Sequence, residues 1–188
     1  MINELNIASA GGSAEAPAFG GAGLPPLSAL GHATPRSDRL GAVTIAENVG
    51  LSIASVARRR DGVLPDMPAP GRHAAGVIWT GPGQWLLTGA YDMGFVGAIK
   101  ARVGGNASVT DQTDGWVVFD IEGPVEALME RLCNVDIRAL QPGHATRTVI
   151  AHLGCIVARD AGGLRLLGAR SSAASLHHAL IGAATSIA

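Results

Sequence analysis

From Leu51 onward, apolar and polar positions fall into short runs broken by glycine and proline. Leu51–Ala57 is apolar with small polar insertions, the pattern of a strand. After a proline-rich loop from Pro65 to Pro70, Gly76–Trp79 and Trp85–Thr88 flank Thr80-Gly-Pro-Gly-Gln84. The central turn chemistry predicts a β-hairpin, with Trp79 and Trp85 placed to form a cross-strand aromatic pair. Phe95, Ile99 and Val103 recur every four residues, predicting a helix capped by Asp92 and ended by Gly104-Gly105. Trp116–Ile121 reads as a strand. Gly123-Pro124 then opens a second helix, with Val125, Leu128, Met129, Leu132 and Cys133 on one face. Thr146–Arg159 reads as one long strand, Gly162-Gly163 as a turn, and Leu164–Leu167 as the returning strand. Ser171 or Ser172 caps a last helix that buries Leu176, Leu180, Ala183 and Ile187.

This order predicts an α+β domain: a mixed β-sheet with packed helices. The succession of long strand, turn, strand and helix occurs twice, at about 51–103 and 147–187, giving two ββα-type halves. Residues 1–40 hold no period of 2 or 3.6 and are rich in Gly, Ala, Pro and Ser. They predict a flexible N-terminal arm, leaving 41–188 as a single domain.

Composition narrows the function classes. Of the 188 residues, 47% are hydrophobic and 15% charged, which suits a globular chain. The low charge fits either a surface partly placed against a partner or, equally, an Ala- and Gly-rich composition without any large patch. The net charge of −1 argues against a nucleic-acid surface, and Arg58-Arg59-Arg60 reads as a solvated strand end. Cys133 and Cys155 form no C-x-x-C and predict reduced thiols. Met1–Gly23 has neither a basic start nor a continuous apolar run, so neither leader nor membrane span is expected and the expectation is a cytoplasmic protein.

Reactive constellations are sparse. Gly81-Pro82-Gly83 lies in a hairpin turn, where no helix N-terminus awaits a phosphate. His152 and Cys155, three apart on an extended strand, point to opposite faces, and adjacent His177-His178 diverge on a helix, so no metal site is expected. Ser171 and Ser172 lack a nucleophile elbow. The run Asp111-Gln112-Thr113-Asp114-Gly115-Trp116 packs two acids, an amide and an indole before a strand. It reads as a self-bonded turn or as part of an interface. Arg147 starts a strand and Arg170 sits between a strand and a helix, each able to hold a carboxylate, with a nearby aspartate as a plausible partner. Asp111, Gln112, Asp114, Trp116, Arg147, Arg170, Trp79 and Trp85 are therefore the candidate interface or structural ion-pair cluster.

Several of these segments resemble one family. Trp79–Leu87 resembles the W-x-G-P-x-x-W-L-L segment of the gamma subunits of heterotetrameric sarcosine oxidase. Val109–Trp116 resembles their V-T-D-Q-S-D-G-W segment, with Thr113 in place of Ser. Gly123-Pro124, Leu132-Cys133, Asp136, Arg147-Thr148 and Arg170-Ser171 through Leu176 continue the pattern across about residues 40–187. The wider superfamily is similar to the folate-binding aminomethyltransferases of glycine cleavage, and the resemblance implies one domain of that fold. After Gly154-Cys155-Ile156, Val157-Ala158 stand where that superfamily carries an acidic pair. This departure implies an inherited fold without inherited chemistry. The resemblance further implies a complex with alpha, beta and delta subunits that demethylates sarcosine to glycine with oxygen and tetrahydrofolate. Hydrogen peroxide and 5,10-methylenetetrahydrofolate or formaldehyde would be the products. FAD, FMN, NAD, tetrahydrofolate and zinc are then expected in the partner chains and none in this one, which would be a non-catalytic assembly subunit. Two alternatives stand beside it: a stand-alone folate-binding or aminomethyl-transfer module, and the gamma subunit of an oxidase for another N-methylated amino acid.

Overall fold

The computed structural model describes residues 26–64 and 66–188. Residues 1–25 of the predicted arm, and Pro65 of the proline-rich loop, lie outside the described residues. In chain order the strands are β1 (Ser37–Leu40), β2 (Val43–Glu47), β3 (Leu51–Arg58), β4 (His73–Ala74), β5 (Val77–Gly81) and β6 (Gln84–Ala90). Helix α1 (Phe95–Val103), β7 (Ala107–Asp111), β8 (Trp116–Glu122) and α2 (Val125–Leu132) follow. The chain closes with β9 (Ala145–Ile150), β10 (Leu153–Asp160), β11 (Gly163–Ala169) and α3 (Ala173–Thr185).

The α+β class is as the sequence predicts, but the strands form two sheets in place of one mixed sheet. The first has the order β1-β2-β8-β11-β10-β9 and the second β4-β5-β6-β3-β7. Every described pairing between these strands is antiparallel. The reason is visible at α1. It carries the chain from β6 across β3 to β7, so the parallel strands β6 and β7 are separated by an antiparallel neighbour.

Alternation along β8 shows how the layers stack. Val117, Phe119 and Ile121 point one way, into a cluster with Leu128 and Met129 of α2 and Leu176, Leu180 and Ala184 of α3. Val118 points the other way, with Ile156 and Leu167, against Ile53, Ile78 and Leu86 of the second sheet. The far face of that sheet buries Ala54 and Val56 under Ile99 and Val103 of α1. The order is therefore α2 and α3, first sheet, second sheet, α1, and both sheets are covered on both faces. Burial of such side chains contributes roughly 1.5–3 kcal/mol each.

The internal repeat is larger than the sequence suggests. In the sheets, β4-β5-β6-β3 matches β9-β10-β11-β8, and α1 and α3 follow β6 and β11. The second copy thus begins at Trp116 rather than at 147, with α2 where the first copy has a loop. The boundary was hidden because Thr146–Arg159 is two strands. Ala151 and His152 turn the chain with φ of 49° and 66°, a two-residue reversal carried out without glycine. His152 therefore sits in a turn, not on the long strand expected for it.

The predicted 80–84 hairpin forms, with Trp79 and Trp85 in register, although its turn is shorter because Gly81 and Gln84 also pair. At the first helix, Asp92 Oδ1 accepts from the Gly94 amide at 2.9 Å and the helix starts one residue later. Ser172 occupies the N-cap of α3 without a side-chain cap bond, because a 3-10 turn over Arg170–Ser172 leads into the helix. Gly123 links β8 to α2 at φ 101°, and a Cβ there would fall on the Ala42 carbonyl, so the β2–β8 edge requires glycine at this position. Strand β1 lies inside the segment assigned to the arm. Its sequence, Ser-Asp-Arg-Leu, is that of a half-exposed edge strand and carries no apolar alternation to reveal it.

Candidate functional site

Two clefts open where the sheets splay apart, and Trp116 at the start of β8 lines both. The first, of about 400 Å3, lies among residues 26–29, the β2–β3 link, the start of α1 and the β7–β8 loop. Asp111, Asp114, Trp116 and Arg170 all border it. The second, of about 310 Å3, is lined by Gln112, Trp116, Arg147 and Trp85 among others. Seven of the eight sequence candidates thus gather on two neighbouring recesses, and Trp79 stands apart from both.

The Asp111–Trp116 loop is held from within. Asp111 Oδ1 accepts from the Thr113 amide at 2.9 Å, and the Gly115 amide donates to the Gln112 carbonyl at 2.9 Å. Thr113 Oγ1 accepts from the Ile53 amide at 3.0 Å and the Gln112 amide donates to the Ile53 carbonyl at 2.8 Å, so the loop is stitched onto β3. This is an Asx-turn that also extends the ladder of the second sheet.

Neither candidate arginine joins Asp111 or Asp114 in an ion pair among the described residues. Arg170 Nη2 donates to the Leu27 carbonyl at 2.7 Å, fastening residues 26–29 over the first cleft. Beneath that strap Glu47, only 6% exposed, accepts from the Ser28 hydroxyl at 2.7 Å, the Ala29 amide and the Arg36 amide. Three donors on one buried carboxylate are a substantial satisfaction of its desolvation. Trp85, on the second sheet, donates from Nε1 to the Pro68 carbonyl at 3.2 Å and so anchors the proline-rich loop.

The ionic interactions of the described residues lie elsewhere, on residues outside the candidate cluster. Arg165 and Asp120 are cross-strand partners on β11 and β8, 2.7 Å apart, and Asn48 Nδ2 donates to the same carboxylate at 2.6 Å. Burial works against the Arg165 charge, yet the hydrogen bond and charge of Asp120 raise its pKa above the ordinary arginine value. Asp38 on β1 receives Arg36 at 2.8 Å and His177 of α3 at 2.8 Å. The Arg36 hydrogen bond holds Asp38 below the usual carboxylate range, against partial burial and with help from His177. The only sequence signal for these pairs was a polar residue inside an apolar run, as at Asp120 and Arg165; the partner was set by register.

Both cysteines are free thiols. Burial pushes Cys155 up to about 11, which keeps it a neutral core residue. Among the described residues no group of three or more His, Cys, Asp and Glu side chains is placed to hold a metal ion. No described helix is long and apolar enough to cross a membrane.

No family model matches the chain, and no curated protein matches it. Solved structures do. The heterotetrameric sarcosine oxidase from Corynebacterium sp. U-96, in complex with pyrrole 2-carboxylate, has a chain that superposes with a TM-score of 0.68. The match spans 79% of this chain and 87% of that one at 22% identity. It establishes a shared fold.

Proposed function

We propose that this chain is a non-catalytic assembly subunit of a heterotetrameric oxidase complex, in the position of the gamma subunit of sarcosine oxidase. The observation that carries the reading is the extent of the fold match: 87% of one chain of a heterotetramer is accounted for by this chain. A match of that span is what a correspondence of subunit to subunit would give. It agrees with the Trp79–Leu87 and Val109–Trp116 segments, now seen as a hairpin and a stitched loop of the second sheet.

The use of charge supports the same reading. Glu47, Asp120, Asp38 and Asp111 each fix a chain segment through hydrogen bonds. Leu27 and Met93 stand 67% and 77% exposed on the rim of the first cleft, a place where a neighbouring chain would gain by covering apolar surface. In this assignment sarcosine, or another N-methylated amino acid, is oxidised at a flavin in a partner chain. FAD, FMN, NAD, tetrahydrofolate and zinc belong to the alpha, beta and delta chains.

The test is to produce the chain alone and together with alpha, beta and delta chains encoded beside it, then follow size exclusion at flavin wavelengths. Co-elution with a yellow complex, and no flavin absorbance on the lone chain, is the expected result. A lone chain that ignores the other three and binds tetrahydrofolate overturns the proposal in favour of a folate module.

A further inference from the structure

The face of the first sheet that meets the second is built in rows, and one row runs from the packed layer out to an arginine at the sheet edge. Val118, Leu167, Ile156 and Arg147 are successive cross-strand partners on β8, β11, β10 and β9. The first three are buried between the sheets at 3%, 0% and 3% exposure. The fourth position, on the edge strand, is exposed and carries a guanidinium.

Arg147 opens onto the second cleft, where Ser55, Thr80 and Gln84 of the second sheet face it, with Gln112 and Trp116 at the side. No carboxylate lines the recess. Among the described residues Arg147, like Arg39, Arg72 and Arg170, has no acidic partner, whereas Arg36, Arg138, Arg159 and Arg165 each have one. The side chains of Ser55, Thr80, Gln84 and Gln112 make no hydrogen bond within the described residues, and their polar atoms are open to solvent. The recess therefore gathers one fixed positive charge, two amides and two hydroxyls that no other side chain engages, beside the indole of Trp116.

We infer that this cleft is a binding site for a small organic carboxylate with a short apolar or aromatic body. A planar guanidinium fork matches the two oxygens of a carboxylate, and the amides and hydroxyls supply further donors. Trp116 and Leu86 offer apolar surface to the rest of the molecule. The volume of about 310 Å3 sits at the small end of the range of about 300–1,000 Å3 for ligand pockets, which limits the ligand to one ring or a short chain. The inference stands on this chain alone and does not depend on the assembly reading.

The experiment uses the full chain, titrated by calorimetry and by tryptophan fluorescence with benzoate, acetate and the neutral isostere benzamide. Saturable benzoate binding, with benzamide at least about tenfold weaker, is expected from the loss of a charge-assisted contact. Arg147→Gln should weaken benzoate by about tenfold or more, and Arg147→Lys by less. Arg138→Gln, which removes a surface arginine paired to Glu130, should leave binding unchanged. Circular dichroism of each variant checks that the exposed substitutions leave the fold intact. Absence of saturable benzoate and acetate binding in the millimolar range overturns the inference, as does equal binding of benzamide or an unaffected Arg147→Gln. A glutamate-bearing peptide that binds when both free acids fail also overturns it, and would turn the recess into a contact for a partner's acidic side chain.

Discussion

Arg165 and Asp120 face each other from adjacent strands of the first sheet, guanidinium Nε 2.7 Å from carboxylate Oδ1, on the side that faces the second sheet. Each interrupts an apolar run of its strand, and Asn48 closes the group from the β2–β3 link. Removing one partner strands the other in a part-buried site. Asp120→Ala should cost about 1.5–3 kcal/mol in urea unfolding, in line with hydrogen bonds to charged groups. The double change Asp120→Leu with Arg165→Met should cost less than that single change, because no charge is left without a partner. A double variant less stable than Asp120→Ala would mean the pair is worth more than its desolvation.

Acid should loosen the contact between β1 and α3. Asp38 is held below its ordinary value, first by the Arg36 hydrogen bond and also by His177, while burial opposes. A carboxylate with a depressed folded value contributes stability in full above its unfolded pKa of about 3.9. That contribution is lost as pH falls through the lower folded value. Melting temperature measured downward from neutral pH should therefore drop more steeply in the parent chain than in Asp38→Asn. Matching slopes would show that the clamp carries no linkage.

The two thiols should differ in reactivity. Cys155 is 3% exposed and pushed up to about 11, so at pH 8 it is neutral as well as shielded. Cys133 is half-buried. Alkylation at pH 8 followed by mass spectrometry of peptides should label Cys133 first and Cys155 only in denaturant. Labelling of both at one rate would count against the packing of β10 beneath the helices.

Backbone demands separate two glycines. Gly76 has φ 77°, and a Cβ there would fall on the Thr88 carbonyl, at the point where Gly76 O accepts from Thr88 N and Oγ1. Gly76→Ala should destabilise by at least about 1–3 kcal/mol. Gly97 lies on the exposed side of α1, and a Cβ added there would meet nothing within 4 Å. Gly97→Ala should raise stability by about 0.5–1 kcal/mol through helix propensity. Thermal unfolding of the two variants checks both signs.

Truncation should act in two stages. Ser28, Ala29 and Arg36 satisfy Glu47, and β1 pairs with β2. Deleting residues 1–25 leaves all of these, so the melting temperature of the lone chain should hold. Any loss of co-purification with partner chains then reports on an arm contact. Deleting residues 1–40 removes the partners of a buried carboxylate and should lower the melting temperature as well. Equal thermal stability of the two truncated chains would contradict the role given to Glu47.

By itself the amino-acid sequence determined what depends on neighbours along the chain. The 3.6 period of Phe95, Ile99 and Val103, and the tight turn between Trp79 and Trp85, reflect local backbone geometry and reappear almost where expected. The Asp111–Trp116 turn was legible for the same reason, since its side chain bonds to an amide two residues on. Tertiary structure decided what depends on partners far away. Strand β1 exists because β2 offers it a ladder, and the turn at Ala151-His152 is held by the register of β9 on β10, with no turn residue to announce it. That Gln112, Trp116 and Arg147 share a cleft follows from two sheets stacking face to face. The stacking energy is spread over many apolar contacts between strands distant in sequence, and no single stretch of the chain encodes it.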